Sequence, residues 1–258
     1  MAHPLLIILQ GEYMARKRKN NLFTIISIIL VILIAIFIAK HTYKSSHSTQ
    51  NTDFSTTGDI PREIITSLNA PDESKATNNN SYKVLNNNTP YFSKEDLSIK
   101  SFENYSNLDN LGRVGQANAV IGVDLMPTNK REEISHIRPS GWQSNKTAHV
   151  YDRSHLIAFQ LSGENANEKN LMTGTRFMNH NMIPFENQVA EYVKKTKKHV
   201  RYRVTPVFKD NDLVAQGVIM EAMSVEDNGA DIKYNVFIYN FQKGVNIDYK
   251  TGKYTLSK

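Results

Sequence analysis

Apolar and polar positions divide this chain into unequal parts. Leu22 to Ala39 reads LFTIISIILVILIAIFIA, with Thr24 and Ser27 as its polar exceptions and no charge. Its 18 residues are about the minimum for a helix crossing a ~30 Å hydrocarbon layer. Arg16, Lys17, Arg18 and Lys19 stand just before it. A basic flank of this kind keeps residues 1–21 in the cytoplasm and directs the remainder outward. The run is longer than a signal-peptide core of roughly 7–15 residues and lacks a small-x-small cleavage site. An uncleaved anchor and a cleaved export signal both stay open, and Met14 is a more ordinary start than Met1. Residues 40–80 are rich in Ser, Thr, Asn and Asp, which predicts a flexible polar linker, with Pro61 to Leu68 as a short ordered lead-in.

Beyond residue 80 the periodicity changes. Ser81 to Phe92 predicts a strand, an Asn-rich turn and a second extended piece. Ala117 to Leu125, His149 to Tyr151, His199 to Phe208, Leu213 to Val225 and Tyr234 to Phe241 read as strands. Asn181 to Lys195 reads as a helix, with Pro184 in its first turn, where a missing N–H is harmless. The expectation is an α+β domain over residues 81–258 with a mostly antiparallel central sheet.

Composition narrows the chemistry. The chain carries a net charge of +6 and no cysteine. Disulfides, cysteine-bound zinc and thiol catalysis are therefore excluded. About half of the positive excess belongs to residues 1–39, so a nucleic-acid site would have to be a local patch. The densest chemistry lies between Tyr151 and Tyr192. His155 is a candidate base near neutral pH, and Arg153 can fork onto a phosphate oxygen. Asn170, Asn179 and Glu186 add hard oxygen donors of the kind Mg²⁺ accepts. Each also has a bland reading: Asn in a turn, Glu186 favouring a helix start, Arg153 paired with Asp152.

Taken together, the stretches YDRSHL, ENANEKNLMTGTRFMN, PFENQVAEY, RYRVTPVF and MEAMSVEDNG resemble the DNA/RNA non-specific endonuclease family. Asp152-Arg153-Ser154-His155 is similar to its Asp-Arg-Gly-His signature, and the wider match resembles the branch of streptodornases and DNA-uptake nucleases. The resemblance implies a ββα-metal (His-Me finger) catalytic motif within the sheet domain. It implies His155 as general base, Asn179 as the direct Mg²⁺ ligand, and Glu186 acting on the metal through water. It further implies Asn170 as a further active-site residue, for support or substrate contact, Arg153 near the phosphate and Asp152 as structural. Ser154 departs from the family's glycine and puts the local backbone geometry in question. The implied reaction is Mg²⁺-dependent cleavage of DNA, with Mn²⁺ able to substitute and RNA an open second substrate, leaving 5′-phosphate and 3′-hydroxyl ends. A monomer on the outer face of the membrane, or a secreted one, is expected.

Two basic clusters are candidates for substrate contact. Lys130, Arg131, Arg138 and Trp142 precede the signature, and Arg131 and Arg138 match a family region that contacts DNA. Lys194, Lys195, Lys197, Lys198, Arg201 and Arg203 form the densest basic run. It reads equally as a phosphate track and as a solvated helix end. Two rival functions are a DNA-binding uptake receptor without catalysis and a zinc hydrolase built on His136, His149 and His155.

Overall fold

The computed structural model describes residues 58–71, 81–144 and 148–257, all within one unit spanning 55–258. The apolar run 22–39 lies outside the described residues. Among the described residues, no helix is long and apolar enough to cross a membrane.

Six strands form the central antiparallel sheet: β1 (Tyr82–Val84), β2 (Phe102–Tyr105), β3 (Ala117–Ile121), β6 (Val200–Val207), β7 (Gly217–Ser224) and β8 (Lys233–Tyr239), in the order β1-β8-β7-β6-β3-β2. A second, two-stranded sheet pairs β4 (Tyr151–His155) with β5 (Leu171–Thr175), and a third pairs β9 (Val245–Ile247) with β10 (Tyr254–Leu256). Three α-helices lie among the described residues: α1 (Arg62–Ser67), the single turn α2 (Phe159–Ser162) and the long α3 (Arg176–Thr196). The expected α+β class and antiparallel sheet are present.

Strand alternation sends side chains to both faces of the sheet. Val200, Tyr202, Val204, Val218, Met220, Val236 and Ile238 face α3, where Met178, Met182, Val189 and Val193 meet them in the main core. Ile219 and Phe237 point the other way and pack with Ile60, Leu68 and Leu85. Residues 58–71 therefore belong to the packed domain, upstream of the boundary at residue 81 read from composition. The polar composition concealed two apolar anchors, Ile60 and Leu68, that flank α1.

The basic run past α3 is divided by the same alternation. Lys194, Lys195, Lys197 and Lys198 are exposed, whereas Arg201 and Arg203 are each only 3% exposed. Arg203 Nε donates to Glu221 Oε2 at 2.6 Å, and the Tyr91 backbone N–H donates to Glu221 Oε1 at 2.8 Å. Both guanidinium groups lie over the Phe92 ring, at 4.7 and 4.9 Å. These two arginines brace the second face of the sheet and leave the phosphate-track reading to the lysines alone. Pro206 is tolerated in β6 because β3 pairs only as far as Val204, so its missing N–H faces no strand on that side.

The helix differs most from the sequence expectation. It starts at Arg176, capped by Thr175, whose Oγ1 accepts from the Met178 N–H at 3.0 Å. Pro184 is consequently inside the helix rather than in its first turn. Glu186 is mid-helix, so a helix-start role for its charge does not apply.

Breaking a buried pair strands a charge. Glu221→Ala should therefore lower unfolding free energy by about 3–5 kcal/mol, while Arg203→Met combined with Glu221→Leu should cost less than that single change. Urea titrations of both variants check this, and a Glu221→Ala loss within experimental error would contradict it.

Candidate functional site

The β4–β5 hairpin runs directly into α3. β5 ends at Thr175 and α3 begins at Arg176. The ends of β4 and the first half of α3 are thereby brought to one place. His155 closes β4, and Asn179 and Glu186 lie about two helical turns apart on α3. One cavity of about 340 Å³ is lined by Arg131, Arg153, His155, Asn179, Ile183 and Glu186, among others. A neighbouring cavity of about 320 Å³ shares Arg131, Arg153 and Asn179 and adds Trp142, His149 and Asp152.

His155 is 6% exposed. Its Nε2 is 2.8 Å from the Asn165 carbonyl oxygen, which can only accept, so Nε2 carries the proton. That leaves Nδ1 as the lone-pair nitrogen, and Arg131 Nη2 stands 3.3 Å from it. Burial, helped by the Arg131 charge and opposed by the Asn165 bond, pushes the imidazole from 6.5 down to about 4. It is neutral at pH 7, as a base must be.

Glu186 interrupts the apolar stripe of α3, between Met182 and Val189. It is 8% exposed, and burial pushes its carboxyl up to about 8, with Arg131 acting weakly the other way. Among the described residues it forms no ion pair. Asn179 Nδ2 donates to Asp152 Oδ2 at 3.2 Å, so its carbonyl oxygen is the free end of the amide. A carboxamide oxygen and a buried carboxyl without an ion-pair partner suit a hard divalent cation, which would relieve the cost of burying Glu186. The fit therefore holds on the donor set itself.

The remaining predicted residues divide. Asn170 is fully buried, and both ends of its amide are taken by Ile157: Oδ1 accepts from its N–H at 2.8 Å and Nδ2 donates to its carbonyl at 3.0 Å. It fixes the turn after His155 and lines neither cavity. Arg153 lines both cavities, but Nε and Nη2 donate to the carbonyls of Ile137 and Ser135, and its guanidinium stacks on Trp142 at 4.0 Å. Arg131 reaches the site; Arg138 is exposed and lines neither cavity. Trp142 is thus engaged by Arg153. His136, His149 and His155 form no metal-binding group among the described residues.

Ser154 is accommodated by Gly174 on the facing strand. A Cβ at Gly174 would lie 2.2 Å from Ser154 Oγ, so the missing side chain makes room for the serine and β4 stays regular. Sequence reading missed Asn165, Arg176 and Asn240, and offered His149 only as a zinc ligand. Asn240 accepts from the Thr175 N–H at 2.7 Å and donates to the Thr173 and Ala215 carbonyls, pinning the hairpin–helix junction to the sheet. Only the density of Asn and His around the signature hinted at such roles.

A two-stranded hairpin feeding a helix, with a neutral histidine facing an asparagine and a buried glutamate, defines the ββα class of nuclease sites. The family described as DNA/RNA non-specific endonuclease matches residues 92–226, and the chain belongs to it. It is accordingly a nuclease, with nucleic acid as substrate. It is similar to NucA from Streptococcus agalactiae, solved with magnesium bound, at 29% identity over 71% of this chain and 89% of that one, with a TM-score of 0.61. The Sda1 nuclease, solved with a bound zinc ion, is 30% identical over 60% of this chain and 82% of its own, with a TM-score of 0.52. An extracellular endonuclease at 18% identity, covering 70% of this chain and 94% of its own, shares the fold, with a TM-score of 0.51.

The His155 shift makes a prediction with a definite sign. An unfolded imidazole takes a proton below about pH 6.5, whereas the folded one resists until about pH 4. Between those values the unfolded state binds more protons, so stability falls as pH falls, by a total on the order of 3 kcal/mol. His155→Asn should flatten that part of a plot of urea midpoint against pH. An equally steep plot for the variant would contradict the buried neutral imidazole.

Proposed function

We propose that the chain is a Mg²⁺-dependent, sequence-non-specific endonuclease that hydrolyses phosphodiester bonds of DNA, with RNA as an accessible second substrate. The observation that carries this reading is the protonation pattern of His155. Its Nε2–H is held by the Asn165 carbonyl, which leaves the Nδ1 lone pair, met by Arg131, for proton transfer in a cavity that His155 shares with Asn179 and Glu186.

In this reading Asn179 would hold the ion directly and Glu186 would hold it through water, and Mn²⁺ would be able to replace Mg²⁺. When bound, the cation neutralises charge on the phosphate and on the departing 3′ oxygen. The phosphate draws Arg131 away from Nδ1, since a guanidinium prefers a phosphate oxygen to a neutral imidazole. Nδ1 then takes a proton from the water whose oxygen attacks phosphorus. The Asn165 carbonyl stabilises the imidazolium that forms. The bond to the 3′ oxygen breaks, and that oxygen takes a proton from solvent, leaving 5′-phosphate and 3′-hydroxyl ends. Arg153 supports the walls of the site and presents its remaining donor face to the phosphate; Arg138 is a peripheral backbone contact. Asn170 keeps the His155 turn in place.

The apolar segment 22–39 with its basic flank supports export, either anchored at the outer face of the membrane or released. The protein acts as a monomer in this reading, because one chain supplies every group named.

Incubating the full-length protein with supercoiled plasmid tests the proposal. Nicking and linearisation should require Mg²⁺ or Mn²⁺ and stop with chelator. His155→Ala should lose about 10²–10⁴ in rate. A plasmid that is retained but never cut would make the chain a DNA receptor, and a His155→Ala variant near parental activity would remove His155 as base.

A further inference from the structure

The second cavity is lined by His149 and Asp152, which the proposed reaction does not use, beside Asn179. Asp152 Oδ2 accepts from Asn179, and Asp152 Oδ1 lies 2.6 Å from His149 Nε2. On its other side, His149 Nδ1 lies 2.9 Å from Arg176 Nη1. The donors and acceptors follow from the residue types. A guanidinium can only donate, so His149 Nδ1 is the acceptor and Nε2 carries the hydrogen. Nε2–H therefore donates to Asp152. A carboxylate can only accept, so Asn179 must turn its nitrogen toward Asp152. The chain of bonds thus has one direction, from Arg176 through His149 to Asp152, and it determines which end of the Asn179 amide faces away.

We infer that His149 and Arg176 are positioning residues that, through Asp152, hold the Asn179 carboxamide with its oxygen free for the divalent cation. The inference rests on Asn179 being the metal ligand. An amide turned over would offer its nitrogen, which is no ligand for Mg²⁺. Without His149, Asp152 would lose a donor at 2.6 Å, could rotate, and would release the Asn179 nitrogen. The backbone reinforces the arrangement. Asp152 sits opposite Gly174 in the hairpin, and the Arg176 N–H donates to the Val150 carbonyl at 2.8 Å, so both ends of the relay are built on the same junction. The His149 side chain is about half exposed, at 52%, so its replacement does not disturb a core.

The test measures Mg²⁺ binding to the full-length protein by titration calorimetry, beside the Mg²⁺ concentration giving half-maximal plasmid cleavage. His149→Leu should weaken metal binding by about 10–100-fold and raise the half-maximal concentration in parallel, with the thermal midpoint close to parental. Saturating Mg²⁺ should restore most of the rate. His149→Gln should recover the affinity, because its amide nitrogen can donate to Asp152 while its oxygen accepts from Arg176. Arg176→Met should weaken binding less than His149→Leu. Parental affinity in His149→Leu, or equal losses in the Leu and Gln variants, would overturn the relay. Asn179→Ala separates the two levels. If it leaves the affinity unchanged, the ligand assignment has failed; if it abolishes binding while His149→Leu has no effect, only the relay has failed.

Discussion

The junction between β5 and α3 constrains everything else in the site. No loop separates them. Thr175 ends the strand, caps the helix through Met178, and donates its hydroxyl to the Phe241 carbonyl at 2.7 Å. Asn240 holds the same residue from the sheet side. Because the hairpin register is set residue by residue, with His155 opposite Leu171 and Asp152 opposite Gly174, the phase of the helix relative to β4 is also set. A slip of one residue in the hairpin would turn every side chain to the other face and take His155 away from Asn179. The buried amides of Asn170 and Asn240 serve this purpose: they spend polar groups on backbone partners so that the loops around the junction have one conformation.

Two buried glutamates show how the same residue type serves structure and chemistry. Glu221 is fully buried and completely answered, by Arg203 and by the Tyr91 N–H. It belongs to the second face of the sheet, where neutralised charge gives rigidity. Glu186 is nearly as buried and unanswered, and burial raises its pKa. An unpaired acid in an apolar stripe is costly, and such a cost is retained where a ligand relieves it. The contrast is geometric: β6 brings Arg203 to Glu221, while Arg131, whose charge acts on Glu186, sets its Nη2 3.3 Å from His155 Nδ1.

The pair of Ser154 and Gly174 makes a similar point about departures from a signature. The residue that looked out of place in YDRSHL is matched twenty positions later by a glycine in MTGT. The two strands exchange a small residue across the hairpin, and the backbone of β4 is unaffected.

The sequence by itself determined what depends on local order. Strand alternation, the apolar stripe of the helix and the spacing of His155, Asn179 and Glu186 were all legible, because these are periodicities within one segment. They were enough for the fold class and for the family. The helix start was misjudged because RFMNHNM carries no strong apolar period, and its beginning depends on Thr175 being held by Asn240, 65 positions away. Only the tertiary structure decided which polar groups remain free. Arg201, Arg203, Arg153 and Asn170 all looked available in sequence, and each is engaged by partners on other segments of the fold. His149 looked like a loose metal ligand and instead faces Asp152 and Arg176. Burial and hydrogen bonding join residues without regard to their separation along the chain. The choice of which His, Asn or Glu keeps an open lone pair therefore cannot be read from the order of residues alone.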